Sequence, residues 1–272
     1  MPPAKVGGAR ARSGLDRRWA APALGALGIV LGLLAWELAI VGGIVSELDV
    51  PHPAAVVAEL GSLLGGGEFW TQLRQTMTNA GIGMAIATAI AVPLGMVMGT
   101  VQPIRVALGP VVEVLRPVPG IALVPLAIVV WGPTGGSTIF LVAFGCTWPL
   151  LVQTIHGVQS VDDVAIMTAR SFRLSGLSRI RWVIFPGSLP YIATGLRICA
   201  AIALIVAVGG ELIIGTPGLG TAIRQAQDGL ALEEMYALIV VTGMLGIALN
   251  LAFGRLERRF LKWHPSQRGA HR

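Results

Sequence analysis

From Ala20 to Val45 the chain carries one ionisable side chain, Glu37, in a run otherwise made of apolar residues, glycine and one proline. The pattern recurs. No Asp, Glu, Lys or Arg occurs in 75–104, 117–161 or 235–254, and Arg197 is the only one in 182–210. A helix crossing a bilayer needs about 20 consecutive apolar residues, and its own ladder satisfies every backbone polar group in the hydrocarbon. These runs meet that length. They lack the roughly ten-residue alternating segments that build a membrane barrel. An all-α, polytopic membrane protein follows. A soluble enzyme and a disordered chain are excluded, since charged residues make up 12% of the sequence and mean hydropathy is +0.75. Soluble domains carry about a quarter.

Six transmembrane helices are expected, at 22–45, 79–101, 117–131, 137–155, 189–214 and 235–253. The third is short and interrupted by Pro117, Pro119 and Pro125. Basic residues precede the first run, as in a signal peptide. That run is too long for a signal h-region and has no clear small-residue cleavage site, so it reads as a retained span. Charge sets the orientation. With the N-terminus inside, all of the 20 Lys and Arg residues fall on the cytoplasmic side except Arg74, Arg224 and Arg197, the last at the cytoplasmic end of the fifth span. This is the positive-inside pattern, and it accounts for the net charge of +6 without nucleic-acid binding. The expected organisation is a cytoplasmic tail (1–20), a first helix with an outer amphipathic segment (21–71), a five-helix core (72–257) with a long cytoplasmic loop at 156–188, and a basic cytoplasmic tail (258–272). In the outer segment, 54–64 reads as a surface helix and Gly65, Gly66 and Gly67 as a linker; 215–234 reads as a turn and a short helix.

Several residues are candidates for function. Acidic groups at membrane depth are rare. Glu37, mid-span, is expected to make a structural hydrogen bond to a neighbouring span. Glu211, near the outer end of the fifth span, reads as an interface carboxylate or as part of the path or its gate. Broken helices are tolerated where they face protein or a water-filled cavity, which makes Pro119, Pro125 and Trp131 path candidates, with Thr147 and Gln153 from the fourth span. Gly81, Gly83, Gly95 and Gly99 suit close helix packing. Cys146 and Cys199 lie inside apolar runs and the histidines are scattered, so neither a disulfide framework nor a metal site is expected. The only lysines, Lys5 and Lys262, lie outside any Gly-rich loop, so no nucleotide-binding P-loop exists here. ATP hydrolysis, if it drives this chain, belongs to another subunit.

The cytoplasmic loop carries the strongest signal. It reads as a helix over 161–172, a break over 173–178 and a second short helix over 179–185, stopped by Pro186 and Pro190. A helix laid into a partner's groove is a common docking device. The loop resembles the EAA motif of type I, binding-protein-dependent ABC importers, E-A-A-x3-G-x9-I-x-L-P. The frame here is Met167, Thr168, Ala169, then Arg173, then Val183, Ile184, Phe185 and Pro186. Ala169 and Pro186 match; Met167, Thr168 and Arg173 replace Glu, Ala and Gly. Other stretches are similar to the sulfonate, taurine and nitrate permease branch. They are Arg116-Pro117-Val118-Pro119 running on to Pro125-Leu126, Leu189-Pro190-Tyr191 running on to Gly195-Leu196-Arg197, and Gly210-Glu211-Leu212 with Pro217-Gly218-Leu219-Gly220. The ending Leu256-Glu257-Arg258-Arg259 also fits.

The resemblance implies a type I ABC importer permease fold, with no catalytic residue, cofactor or metal in this chain. ATP and Mg would be bound by two partner ATPase subunits. The further partners implied are a second permease copy or a homologous permease, an extracytoplasmic substrate-binding protein and the lipid bilayer. The location implied is a bacterial inner membrane with both termini cytoplasmic. The solute implied is a small organic anion such as a sulfonate or taurine, or nitrate; a carboxylate or a vitamin precursor is the alternative. Met167, Thr168, Ala169, Arg170, Ser171, Phe172, Arg173 and Pro186 would couple to the ATPase. A left-handed residue other than glycine is strained by about 1–2 kcal/mol, so Gly176 is expected to supply the turn that Arg173 replaces. Two other classes fit less well. A membrane-embedded transferase needs paired acids or histidines near one face, and an ion-driven secondary transporter usually needs more spans and inverted repeats.

Overall fold

The computed structural model describes residues 20–260, with side chains from 23 to 259. The tail expected at 1–20 and most of that at 258–272, with Lys5 and Lys262, lie outside the described residues. The chain divides into two compact units, Met1–Ala58 and Glu59–Arg272.

The first unit is built on α1 (Ala20–Val41). Leu24, Ile29, Leu31 and Leu38 are exposed around its circumference. A soluble helix buries one apolar stripe and keeps the other face polar, so a helix apolar on every side suits lipid. It ends in a left-handed cap at Gly43 (φ 69°), with Gly43 N–H donating to the Ile40 carbonyl and Ile44 N–H to the Ala39 carbonyl, both at 2.9 Å. This is a Schellman closure with glycine where the strained residue belongs. The expected surface helix follows as α2 (Pro53–Gly65), which begins in this unit and continues into the next.

The second unit is organised around α6 (Gly135–Gln159). It packs on α3 (Gly67–Thr100) on one side and on α9 (Phe185–Ile214) on the other. Small residues at every fourth position of α3, namely Gly83, Ala87, Ala91, Gly95 and Gly99, make the first seam. A Cβ at Gly83 would come within 2.6 Å of Val142 Cβ, and one at Gly95 within 2.6 Å of Thr154 Cβ. The backbones therefore approach as in small-xxx-small membrane pairs. Gly81 is not part of this seam, since a Cβ there meets nothing within 4 Å. Leu141, Val142, Cys146, Leu150 and Leu151 of α6 fill the centre of the core with Ala203 and Ala207 of α9.

Three features differ from the sequence expectation. The stretch expected as a short, proline-interrupted third span, 117–131, is the second arm of a bent pair. The pair is α4 (Gln102–Leu115), then a 3-10 turn (Gly120–Leu123) leading into α5 (Val124–Trp131), with 86° between the arms. Arg116, before Pro117, is still helical (φ −57°, ψ −44°), and the break falls at Pro119, which is extended (φ −64°, ψ 126°). The described residues thus hold five helices long and apolar enough to cross a membrane, and six when the bent pair counts as one span. Secondly, α4, a stretch for which no helix was expected, is amphipathic, and Ile104, Leu108 and Val112 turn inward on one face. Thirdly, Pro186 and Pro190 do not stop a helix. A π turn (Ile180–Ile184) carries the chain from α8 (Gly176–Arg179) straight into α9, where Pro186 sits in the first turn and Pro190 lies inside the helix. Proline is tolerated in a first turn, whose N–H groups have no partner within the helix. The unit closes with α10 (Leu219–Asp228) and α11 (Leu232–Phe260).

Candidate functional site

The loop between α6 and α9 folds from local capping chemistry. Asp162 caps α7 (Asp163–Ser171) by accepting from the Val164 N–H at 2.9 Å. At the other end Arg173 N–H donates to the Arg170 carbonyl at 2.8 Å and Leu174 N–H to the Ala169 carbonyl at 3.1 Å. Arg173 itself has φ 53°. This is the same Schellman closure as at Gly43, with arginine in the left-handed position. The expectation that Gly176 supplies the turn is therefore corrected: Gly176 opens α8, capped by Ser175, whose hydroxyl accepts from the Ser178 N–H at 3.3 Å. Two cap hydrogen bonds and the start of the next helix hold Arg173 against its local preference.

The loop's side chains divide into two sets. Met167, Thr168, Arg170, Ser171, Phe172 and Arg173 are exposed, Phe172 at 78%. The Thr168 and Ser171 hydroxyls fold back on the Val164 and Met167 carbonyls, at 2.7 and 3.1 Å. Ala169 differs from the expectation that it faces an ATPase groove: it is 4% exposed and turned into the chain. Its small side chain lets α7 rest on the π turn. Pro186 is half-buried at the start of α9. The exposed apolar side chains of the loop are Val164, Met167, Phe172, Leu177 and Trp182, with Arg170 and Arg173 exposed among them.

Glu211 is at the opposite end of α9 and is fully buried. Its Oε2 accepts from the Thr76 hydroxyl at 2.7 Å and from the Gly220 N–H at 3.2 Å. Thr76 in turn accepts from the Leu219 N–H at 2.8 Å. Leu219 and Gly220 are the first residues of α10, so Glu211 and Thr76 cap that helix from two other helices. The positive end of a helix dipole favours a carboxylate there. Gly218 and Gly220 are required, since a Cβ on either would meet the Glu211 side chain. Thr138 and Thr216 pair beside it at 3.0 Å, and both are buried. Glu211 is thus enclosed by protein and caps α10. Thr76 and Asn79, which complete its surroundings, carried no signal beyond being polar residues at the entrance of a charge-free run.

The other candidates are dispersed. Pro119 and Pro125 are exposed on the bent pair. Trp131 stacks on Phe140 at 4.6 Å between ring centroids. Gln153 lies on the α6–α9 seam, where Gly195 makes room for it. Glu37 has a partner inside its own unit. Its carboxylate meets His52 Nδ1 at 3.0 Å within the first unit, and Glu47 lies 3.5 Å from His52 Nε2. The hydrogen bond to Glu37, then the charges of Glu37 and Glu47, hold the His52 pKa above its ordinary 6.5.

Comparison with known proteins gives these arrangements a context. The family described as "Binding-protein-dependent transport system inner membrane component" matches residues 91–262. The chain is 32% identical to the taurine transport system permease protein TauC of Escherichia coli, over 89% of each chain. It is 31% identical to the putative aliphatic sulfonates transport permease protein SsuC of the same organism, over 87% of this chain and 90% of that one. It is 27% identical to the nitrate import permease protein NrtB of Synechocystis, over 85% and 86%. Among solved structures, a chain of the MetNI methionine ABC transporter superposes with a TM-score of 0.61 at 17% identity, covering 68% of this chain and 92% of that one. That likeness speaks for the fold.

Proposed function

The chain belongs to the family of binding-protein-dependent transport system inner membrane components, and from that premise we propose that it forms the translocation path of an importer for a small sulfonate-type or nitrate-type anion. It is a membrane-spanning permease subunit of an ABC transporter; in such systems ATP is hydrolysed by a separate subunit and solute is delivered by a binding protein. The finer reading is an assembly of two permeases, identical or homologous, two ATPases and one extracytoplasmic binding protein. In it the loop between α6 and α9 faces the cytoplasm of a bacterial inner membrane and both termini lie inside.

The observation that carries the coupling assignment is the capped α7–α8 hairpin presenting Met167, Phe172 and Leu177 between two apolar spans. The charge distribution supports the orientation, because the opposite one would put the basic loops outside. The relatives' taurine, sulfonate and nitrate names support the solute class.

The test is purification from the native membrane followed by transport in proteoliposomes. The expected result is co-purification of an ATPase, with uptake of a sulfonate or of nitrate that stops when ATP is depleted. A chain that comes out alone, with uptake that survives ATP depletion, would overturn the reading.

A further inference from the structure

The polar positions of α4 and its C-cap are arranged alike from either end. Gln102, Arg105, Gly109, Glu113 and Arg116 follow one another at spacings of three, four, four and three residues. At about 3.6 residues per turn they share one stripe along the helix, distinct from the inward face of Ile104, Leu108 and Val112. Gln102, Glu113 and Arg116 are exposed and Arg105 is half-buried, with Val106 and Pro110 exposed along one flank. None of the four polar side chains has a hydrogen bond or ion pair among the described residues. Arg105 and Glu113 stand about 12 Å apart along the axis and do not pair with each other. Gly109 is the centre of the stripe. Glycine in mid-helix is less stable than alanine, and a Cβ at Gly109 would meet nothing within 4 Å. Unlike Gly83 and Gly95, it is not required by packing within one copy.

We propose that α4 packs antiparallel on α4 of a second copy of this chain, about a two-fold axis through Gly109. The proposal rests on the permease reading above and narrows its pair of permeases to identical copies. A two-fold interface is self-complementary: where one residue meets another, the reverse contact also forms. Reversal about Gly109 sets Arg105 against the partner's Glu113 and Gln102 against the partner's Arg116, and symmetry forms each pair twice. A parallel pair would set like charges together. An anionic lipid surface matches cations alone; a carboxylate between two arginines, reversing about a glycine, matches a second α4. Glycine on the axis lets the two backbones approach. One helix of about 21 Å buries less than a whole interface needs, so α4 sets register and partner choice while other surfaces add area.

The test uses the full chain, purified with its ATPase into nanodiscs from cells that make two copies carrying different affinity tags. Capture by one tag is expected to bring the other. Gly109→Cys should cross-link copy to copy under copper phenanthroline, since a residue on a two-fold axis meets itself. Wild type, whose two cysteines are buried, should not cross-link, nor should Gly81→Cys at another open glycine. Arg105→Glu and Glu113→Arg each set like charges together in both symmetric pairs. Each should slow cross-linking of Gly109→Cys by about ten-fold, and the two combined should restore it. Rescue by the double exchange is the outcome that a merely structural role for either charge would not produce. No cross-link at Gly109→Cys overturns the proposal, and so does a failed rescue. A self-link at Arg105→Cys in place of Gly109→Cys overturns it too, in favour of another register. Capture of a different permease, without the second tag, sinks the identical pair and leaves the importer reading standing. Recovery of neither a permease partner nor an ATPase sinks both.

Discussion

Arg173 keeps a positive φ at the end of α7 because two cap hydrogen bonds and the Ser175 cap of α8 lock the turn around it. Arg173→Gly relieves the strain while adding some unfolded-chain entropy, so a net gain of about 1 kcal/mol is expected. Amide exchange at Leu174 should slow accordingly, and Arg173→Val should speed it. The departure from the motif was legible in the sequence. Its resolution was not, because the caps that outweigh the strain involve backbone groups that no residue type announces. Glu211 teaches the same lesson. Its place in the apolar run was visible, but Thr76 lies 135 residues earlier, and only the packing of α3 against α9 and α10 joins them. Thr76→Val removes one donor to the carboxylate and the acceptor for Leu219. A loss of about 1–3 kcal/mol is expected, seen as a lower unfolding temperature of the purified protein; an unchanged value would mean that water replaces both bonds.

At the scale of elements, periodicity read in the sequence located the long apolar helices well. It failed where prolines act. Three prolines in 117–131 signalled a broken span, yet the direction of the 86° bend and the helical arm before it come from the fit of Ile104, Leu108 and Val112 against the core. Pro186 looked like a stop and sits in a first turn, since the π turn absorbs the mismatch. The α3 stripe allows a direct test. Gly95→Leu forces a branched side chain onto Thr154, and overpacking of this kind is expected to be destabilising by about 1–3 kcal/mol. Gly81→Leu, at an open position, should change the unfolding temperature little. In the first unit, the bond from Glu37, and then Glu47, raises the His52 pKa. A raised folded pKa means that the contact contributes fully below the ordinary value of 6.5 and is lost as pH rises through the folded value. Amide exchange at the end of α1 should therefore quicken as pH rises through that window, after correction for intrinsic rates. Glu37→Gln should flatten the profile.

For the whole molecule, the α7–α8 surface is the one proposed above to dock the subunit that hydrolyses ATP. Phe172→Ala removes the most exposed aromatic of that loop and leaves its caps intact. The expected outcome is loss of ATPase co-purification with unchanged helix content by circular dichroism. Ala169→Asp is expected to act differently. It places an unpaired charge where a 4% exposed alanine sits, so the loop itself should loosen, with faster amide exchange throughout α7. If Phe172→Ala retains the ATPase at wild-type yield, the docking surface lies elsewhere. By itself the sequence determined that the chain lives in a membrane, how many apolar helices it holds to within one, and that it carries no P-loop sequence. Those conclusions follow from composition and run length, because hydrocarbon accepts only helices that satisfy their own backbone. Only the tertiary structure decided that Glu211 caps α10, that Ala169 faces inward, and that Arg173 carries the left-handed turn. Each depends on residues distant in sequence, or on the backbone of a neighbouring turn, and packing brings such groups together through contacts that leave no periodic trace along the chain.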